Sequence, residues 1–180
     1  PTPAMATMLY AKEVPPYGGD TLFANMYAAY DALSPGMKTL ARKLKTYNLY
    51  DKAKPRAGKM AAKVTEKDKP PEPAIHPLVR VHPETKRPAL YLTETKTTRR
   101  FESLSEEESA PLLRYLLDHA TRPEFTCRLR WEAGTLGLWD NRSMMHMALN
   151  DYHGHRRVMH RITIKGERTF GLEVIDARAA

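Results

Sequence analysis

The sequence predicts a sheet-dominated sandwich or barrel with flanking helices, and three observations carry that expectation. Short apolar runs outnumber stretches of helical periodicity, and nothing alternates regularly as β-α-β. A chain of 180 residues, 42% hydrophobic and 28% charged, suffices for one buried core but not comfortably for two, so a single domain over residues 1–180 is expected.

Met5 to Ala11 is apolar except for Thr7 and reads as a buried strand, after which Gly18-Gly19-Asp20 supplies a turn. Asn25 to Leu33 carries Met26, Ala29, Tyr30 and Leu33 at helical spacing. Ser34-Pro35 then offers an N-cap with proline at the first helical position, opening a second helix through about Lys45. His76 to His82 and Ala89 to Leu92 read as strands around a Pro83 to Pro88 turn. Ser105 with Glu108 forms a capping box for a helix whose apolar stripe is Leu112, Leu113, Leu116 and Leu117, and Pro123 bars its continuation. Phe125 to Trp131, Thr135 to Trp139 and Val158 to Ile164 alternate as strands do.

Charge and composition narrow the function classes. The single cysteine, Cys127, excludes an internal disulfide or a thiolate metal site, and a reducing cytoplasm is the simplest home. No apolar run approaches the roughly 20 residues of a membrane span, so no membrane partner is expected. The net charge of +8 raises nucleic acid as a partner, but half of that excess lies between Asp51 and Lys69. There seven basic residues (Lys52, Lys54, Arg56, Lys59, Lys63, Lys67, Lys69) face three acids, with no aromatic residue interleaved for base stacking. A mobile basic lid loop over residues 51–74 is the preferred reading, with no nucleic-acid partner. The chain opens Pro1-Thr2-Pro3-Ala4 with neither initiator Met nor signal pattern, as the interior of a longer domain would.

The chemistry concentrates in Trp139 to His146 and Tyr152 to Arg161, which hold four of the seven histidines. On a strand from Val158, Arg157, Met159, Arg161 and Thr163 share one face, with the two guanidiniums about 13 Å apart at Cα. Facing a barrel interior they would require anions, such as a dicarboxylate cosubstrate or an anionic cosubstrate and substrate together. On a solvent-facing strand they require nothing, and spacing alone leaves both readings open.

These residues resemble the Fe(II)- and 2-oxoglutarate-dependent dioxygenases of the taurine and 2,4-dichlorophenoxyacetate dioxygenase type. The resemblance runs through Gly18-Gly19-Asp20-Thr21, Leu33-Ser34-Pro35, His76-Pro77-Leu78-Val79, the Glu106 to Leu117 helix, Trp139 to Arg142, His146 and the Arg157/Arg161 pair. Its most specific part is His146 with ten residues before Arg157 and three more before Arg161. The resemblance implies a double-stranded β-helix, or jelly roll, incomplete at its N-terminus, with this chain as the C-terminal portion of the catalytic domain. It makes His146 the distal histidine on iron and the catalytic metal ligand. It gives Thr21 and Arg157 the far carboxylate of 2-oxoglutarate, and Arg161 the substrate's anionic group or the cosubstrate. Forked guanidinium donors match a carboxylate, and a threonine hydroxyl adds orientation without charge. Fe(II), 2-oxoglutarate and O₂ are the implied cofactors, and a homo-oligomer hydroxylating a small anionic sulfonate, sulfate ester or carboxylate is the implied assembly and activity.

The family's His-x-Asp motif precedes the stretch matching Thr2-Pro3, so one of three iron ligands is expected here, and the 180 residues alone should bind iron weakly and turn over nothing. The sole His-x-acid triplet, His82-Pro83-Glu84, falls in a turn and carries little weight as a replacement. His160 is expected as a hydrogen-bonded core or second-sphere residue, His153 and His155 as turn residues, His119 as a helix-end residue and Asp140-Asn141 as a turn. Met144, Met145, Met147 and Met159 are read as adaptable packing. Lys96 stands where the taurine enzyme has an aromatic residue, which argues against taurine itself as substrate. The alternatives are a non-catalytic remnant retaining an anion site and a basic nucleic-acid-binding module.

Overall fold

The computed structural model describes residues 2–49, 73–93 and 97–172. The proposed lid falls almost entirely outside these residues, as does Lys96. Among the described residues the chain forms eleven strands and three α-helices in the order β1 (Ala6–Glu13), β2 (Thr21–Asn25), α1 (Met26–Asp31), α2 (Pro35–Lys43), β3 (Lys45–Asn48), β4 (Ala74–Pro77), β5 (Val79–Val81), β6 (Pro88–Leu90), β7 (Thr98–Phe101), α3 (Glu106–Ala120), β8 (Thr126–Leu129), β9 (Leu136–Asp140), β10 (Met144–Ala148) and β11 (Val158–Ile164). No helix among the described residues is long and apolar enough to cross a membrane.

Two antiparallel sheets, ordered β11-β1-β9 and β10-β2-β8, face one another. Strand alternation decides what lies between them. Thr7, Leu9 and Ala11 of β1 point with Trp139 and Gly137 of β9 and with Met159, Arg161 and Thr163 of β11. On the other sheet Thr21 and Phe23 point with His146 and Leu129. The interior cluster is Ala11, Phe23, Trp131 and Trp139, walled by Leu9, Val14, Leu129, Met144 and Met159. The opposite face of β10-β2-β8 carries Ala24 and Met145 onto a second, larger core. That core is built by the three helices, the sheet β4-β3-β7 and the hairpin β5-β6, with Leu78, Phe101, Leu113 and Leu116 buried at its centre.

Local signals set the helices. Asn25 Oδ1 accepts the N–H groups of Tyr27 and Ala28, both at 3.1 Å, so a six-residue α1 starts without waiting for a longer propensity run. Ser34 caps α2 and Pro35 occupies its first position. The Ser105/Glu108 box closes in both directions at 3.2 and 2.9 Å, and α3 stops before Pro123.

Four strands escape the sequence reading: β2, β3, β7 and β10. Each has five residues or fewer and lacks a clean apolar alternation, as Thr98-Arg99-Arg100-Phe101 and Met144-Met145-His146-Met147-Ala148 show. Their partners lie far along the chain, with Met144 paired to Asn25, so local pattern carries little of their stability. His160, expected as a hydrogen-bonded core or second-sphere residue, is exposed, on the face of β11 opposite Arg161. Among the described residues that strand is a sheet edge, and His160 to Thr163 are exposed on both of its faces.

Candidate functional site

Strand register puts the site together. His146 sits directly opposite Phe23 on β2, and Ala148 opposite Thr21, so Thr21 and His146 lie diagonally on one inward face. The imidazole is exposed on its open side. Its ring centroid lies 4.9 Å from that of Trp139 and 6.2 Å from that of Phe23. The Trp139 indole nitrogen is buried without a hydrogen-bond partner.

Arg157 comes to the same end of the barrel along another route. Gly18 and Gly19 both adopt left-handed φ, +73° and +70°, which only glycine adopts without strain. A side chain at Gly19 would place its Cβ 2.9 Å from Arg157 Cδ and 3.0 Å from Arg157 Nε. The bare backbone therefore forms the wall against which the guanidinium lies. Asp151 accepts the Gly19 N–H at 2.7 Å and fixes this turn, while the Tyr152 ring faces the guanidinium at 5.9 Å. Thr21 follows two residues later at only 2% exposure, and its Oγ1 accepts the indole N–H of Trp131 at 3.0 Å.

The decisive feature is electrostatic. Arg157 Nε and Nη2 are buried and have no hydrogen-bond partner, and among the described residues no carboxylate pairs with this guanidinium. Two guanidinium donors buried without a counter-charge are costly, and a bidentate carboxylate satisfies both at once. The residues present thus fit the far carboxylate of a dicarboxylate ligand. Arg161 lies on the same strand face, paired across to Leu9, but it is exposed. Register sets Thr21 and His146 on one inward face, and Arg157 lies against Gly19, two residues before Thr21, whereas Arg161 is exposed.

Iron is a different matter. No group of three His, Cys, Asp or Glu side chains capable of holding a metal exists among the described residues. His82-Pro83-Glu84 is committed elsewhere. His82 Nδ1 accepts the N–H groups of Glu84 and Thr85 at 3.3 and 3.2 Å, which places the ring proton on Nε2, where it donates to Asp140 Oδ2 at 3.0 Å. Arg142, buried at 6% exposure, grips Asp140 at 2.7 Å and Glu84 at 3.1 Å. This clasp joins the end of β9 to the β5-β6 hairpin. Burial works to raise the Asp140 carboxyl, but hydrogen bonds from Arg142 and His82 and the Arg142 charge outweigh it and hold it at about 2. The Asp140-Asn141 turn bonds its own backbone as expected, with Asp140 Oδ1 accepting the Arg142 N–H at 2.8 Å. His119 Nε2 donates to the Ala29 carbonyl oxygen at 2.8 Å, in the helical core instead of toward solvent, and only its placement near the helix end is legible in the sequence. His153 and His155 are exposed turn residues, His155 bonded to the Tyr17 hydroxyl at 3.0 Å.

Trp131, Tyr152 and Asp151 are the site's supporting residues that the sequence does not announce. Beside them an open cleft of about 510 Å³, lined by residues including Tyr17, Gly18, Arg128 and Trp131, borders the turn that holds Thr21.

Residues 1–163 match the family described as taurine catabolism dioxygenase TauD, TfdA. The alpha-ketoglutarate-dependent sulfate ester dioxygenase of Pseudomonas putida is 37% identical over 174 residues, covering 93% of this chain and 57% of that protein. A taurine dioxygenase from Burkholderia xenovorans superposes with a TM-score of 0.81 at 34% identity, over 96% of this chain and 56% of its own. The structure of AAD-2 in complex with Mn(II) and N-oxalylglycine superposes with a TM-score of 0.81 at 36% identity, over 94% and 67%. These neighbours share the jelly-roll architecture described above. The chain spans about half the length of the relatives it matches.

Proposed function

From a chain that belongs to the taurine catabolism dioxygenase TauD, TfdA family, we propose a site that serves an Fe(II)- and 2-oxoglutarate-dependent oxygenase acting on a small anionic organic substrate. In this family ferrous iron, 2-oxoglutarate and O₂ supply the oxidising chemistry, with succinate and CO₂ as the co-products. The observation that carries the proposal is the half-buried Arg157 side chain, whose Nε and Nη2 are buried and unsatisfied beside the bare Gly19 backbone.

Each residue has a task that its position supports. Arg157 binds the far carboxylate of 2-oxoglutarate through its paired donors, and the Thr21 hydroxyl orients the same group. His146 provides one imidazole ligand from β10, held between Trp139 and Phe23. Arg161, at the open end of the same face, meets the anionic group of the substrate. The names of relatives acting on sulfate esters, sulfonates and 2,4-dichlorophenoxyacetate support a sulfate, sulfonate or carboxylate as that group.

Calorimetric titration with 2-oxoglutarate, paired with an assay for 2-oxoglutarate-dependent succinate release under iron and O₂ by the full-length parent that includes the His-x-Asp stretch, tests this reading. Arg157→Ala should weaken binding about a hundredfold, the loss of two hydrogen bonds to a charged group. Binding without succinate release would favour a non-catalytic anion site on the same fold. Absence of 2-oxoglutarate binding by the wild type would overturn both.

A further inference from the structure

We infer that Trp131 is a positioning residue for the cosubstrate's far carboxylate, acting through Thr21. The inference rests on the reading of Arg157 and Thr21 given above. An indole N–H donates and cannot accept, so its 3.0 Å bond to Thr21 Oγ1 occupies a lone pair of the hydroxyl. The threonine's own proton must then point elsewhere. Trp131 is 5% and Thr21 2% exposed, so bulk water does not meet that proton, and among the described residues no acceptor takes it. A buried hydroxyl that already accepts and has no protein acceptor for its own proton is a donor prepared for an anionic ligand.

The indole is held by shape as well as by this bond. Gly137 lies on β9 opposite Leu9, and a Cβ there would stand 2.7 Å from Trp131 Cη2. The backbone of Gly137 adopts no left-handed φ, so glycine is required at this position for room and not for conformation. With Leu129 on its flank, the ring has one seat and its N–H one direction. Gly137, Trp131 and Thr21 thus form a relay of contacts from β9 to the carboxylate site on β2, parallel to the one Gly19 makes with Arg157.

Trp131→Phe keeps the ring and removes only the donor. In calorimetry of 2-oxoglutarate it should weaken binding about threefold to tenfold, the range of a single net hydrogen bond, with far-UV circular dichroism unchanged. In a Thr21→Val background, where no hydroxyl remains to orient, Trp131→Phe should add less than about twofold, whereas a packing role would multiply the two effects. Thr21→Ser, which keeps the hydroxyl, must retain the sensitivity to Trp131→Phe and serves if the valine variant fails to fold. Unchanged affinity in Trp131→Phe, with Arg157→Ala still damaging, overturns the inference and leaves the proposed function standing. Multiplicative losses overturn it equally. An Arg157→Ala protein that binds like the wild type removes the carboxylate site itself, and the role of Trp131 with it.

Discussion

A methyl group at position 19 would meet Arg157 Cδ at 2.9 Å on a backbone already at φ +70°, so strain and displacement fall on the same atoms. Gly19→Ala should cost about 1–2 kcal/mol in denaturant unfolding and should weaken 2-oxoglutarate binding along with it. An equally damaging substitution at an exposed glycine such as Gly154 would show that the strain alone matters, since a Cβ there meets nothing within 4 Å. Asp140 makes a prediction about acid. Its folded value near 2 lies below the ordinary 3.8, so the clasp's contribution is complete above about pH 4 and is lost as pH falls through about 2. Asp140→Asn should therefore flatten the dependence of melting temperature on pH between 4 and 2. His146, Arg157 and Arg161 stand out as candidates through the family resemblance of one short segment, whereas spacing alone leaves the two arginines open to a solvent-facing reading. Trp131 could not, since its partner Thr21 is 110 residues away and nothing in a strand-terminal tryptophan reveals where its N–H points.

Elements divide by how local their causes are. The α3 cap is written in four consecutive residues, and Ser105→Ala should lower stability by about 1 kcal/mol in chemical denaturation, with little change in denaturant slope. Leu116, fully buried on the same helix, should cost about 2–5 kcal/mol as alanine. Both signals were visible before folding, the first as a capping box and the second as a stripe at helical spacing. The β2, β3, β7 and β10 segments owe their conformation to partners across the sheet. Phe101 of β7, for example, donates its N–H to Ser109 Oγ of α3 at 3.0 Å, and the surrounding Thr-Arg-Arg gives no hint of it. The expected number of strands was therefore too small, although the class of fold they build was correct.

At the scale of the molecule, the outer face of β11-β1-β9 is the feature the alternation argument leaves unsatisfied. Leu136, Leu138 and Ile162 are each more than 60% exposed, and cross-strand register sets Ile162, Met8 and Leu138 in one row. Such a face should bind a hydrophobic dye, and replacing Leu138 and Ile162 with threonine should reduce that fluorescence while shifting the unfolding free energy by about 0.5 kcal/mol or less per site. The clasp around Asp140 and Arg142 has a consequence of another kind. It anchors the bend between β9 and β10, and side chains alternate along every strand, so this anchor decides which neighbours of residue 146 look inward. Removing one residue from that bend could leave β10 zipped to β2 with Met145 or Met147 turned to the interior. Such a protein would pass tests of folding and still offer a thioether where the imidazole belongs.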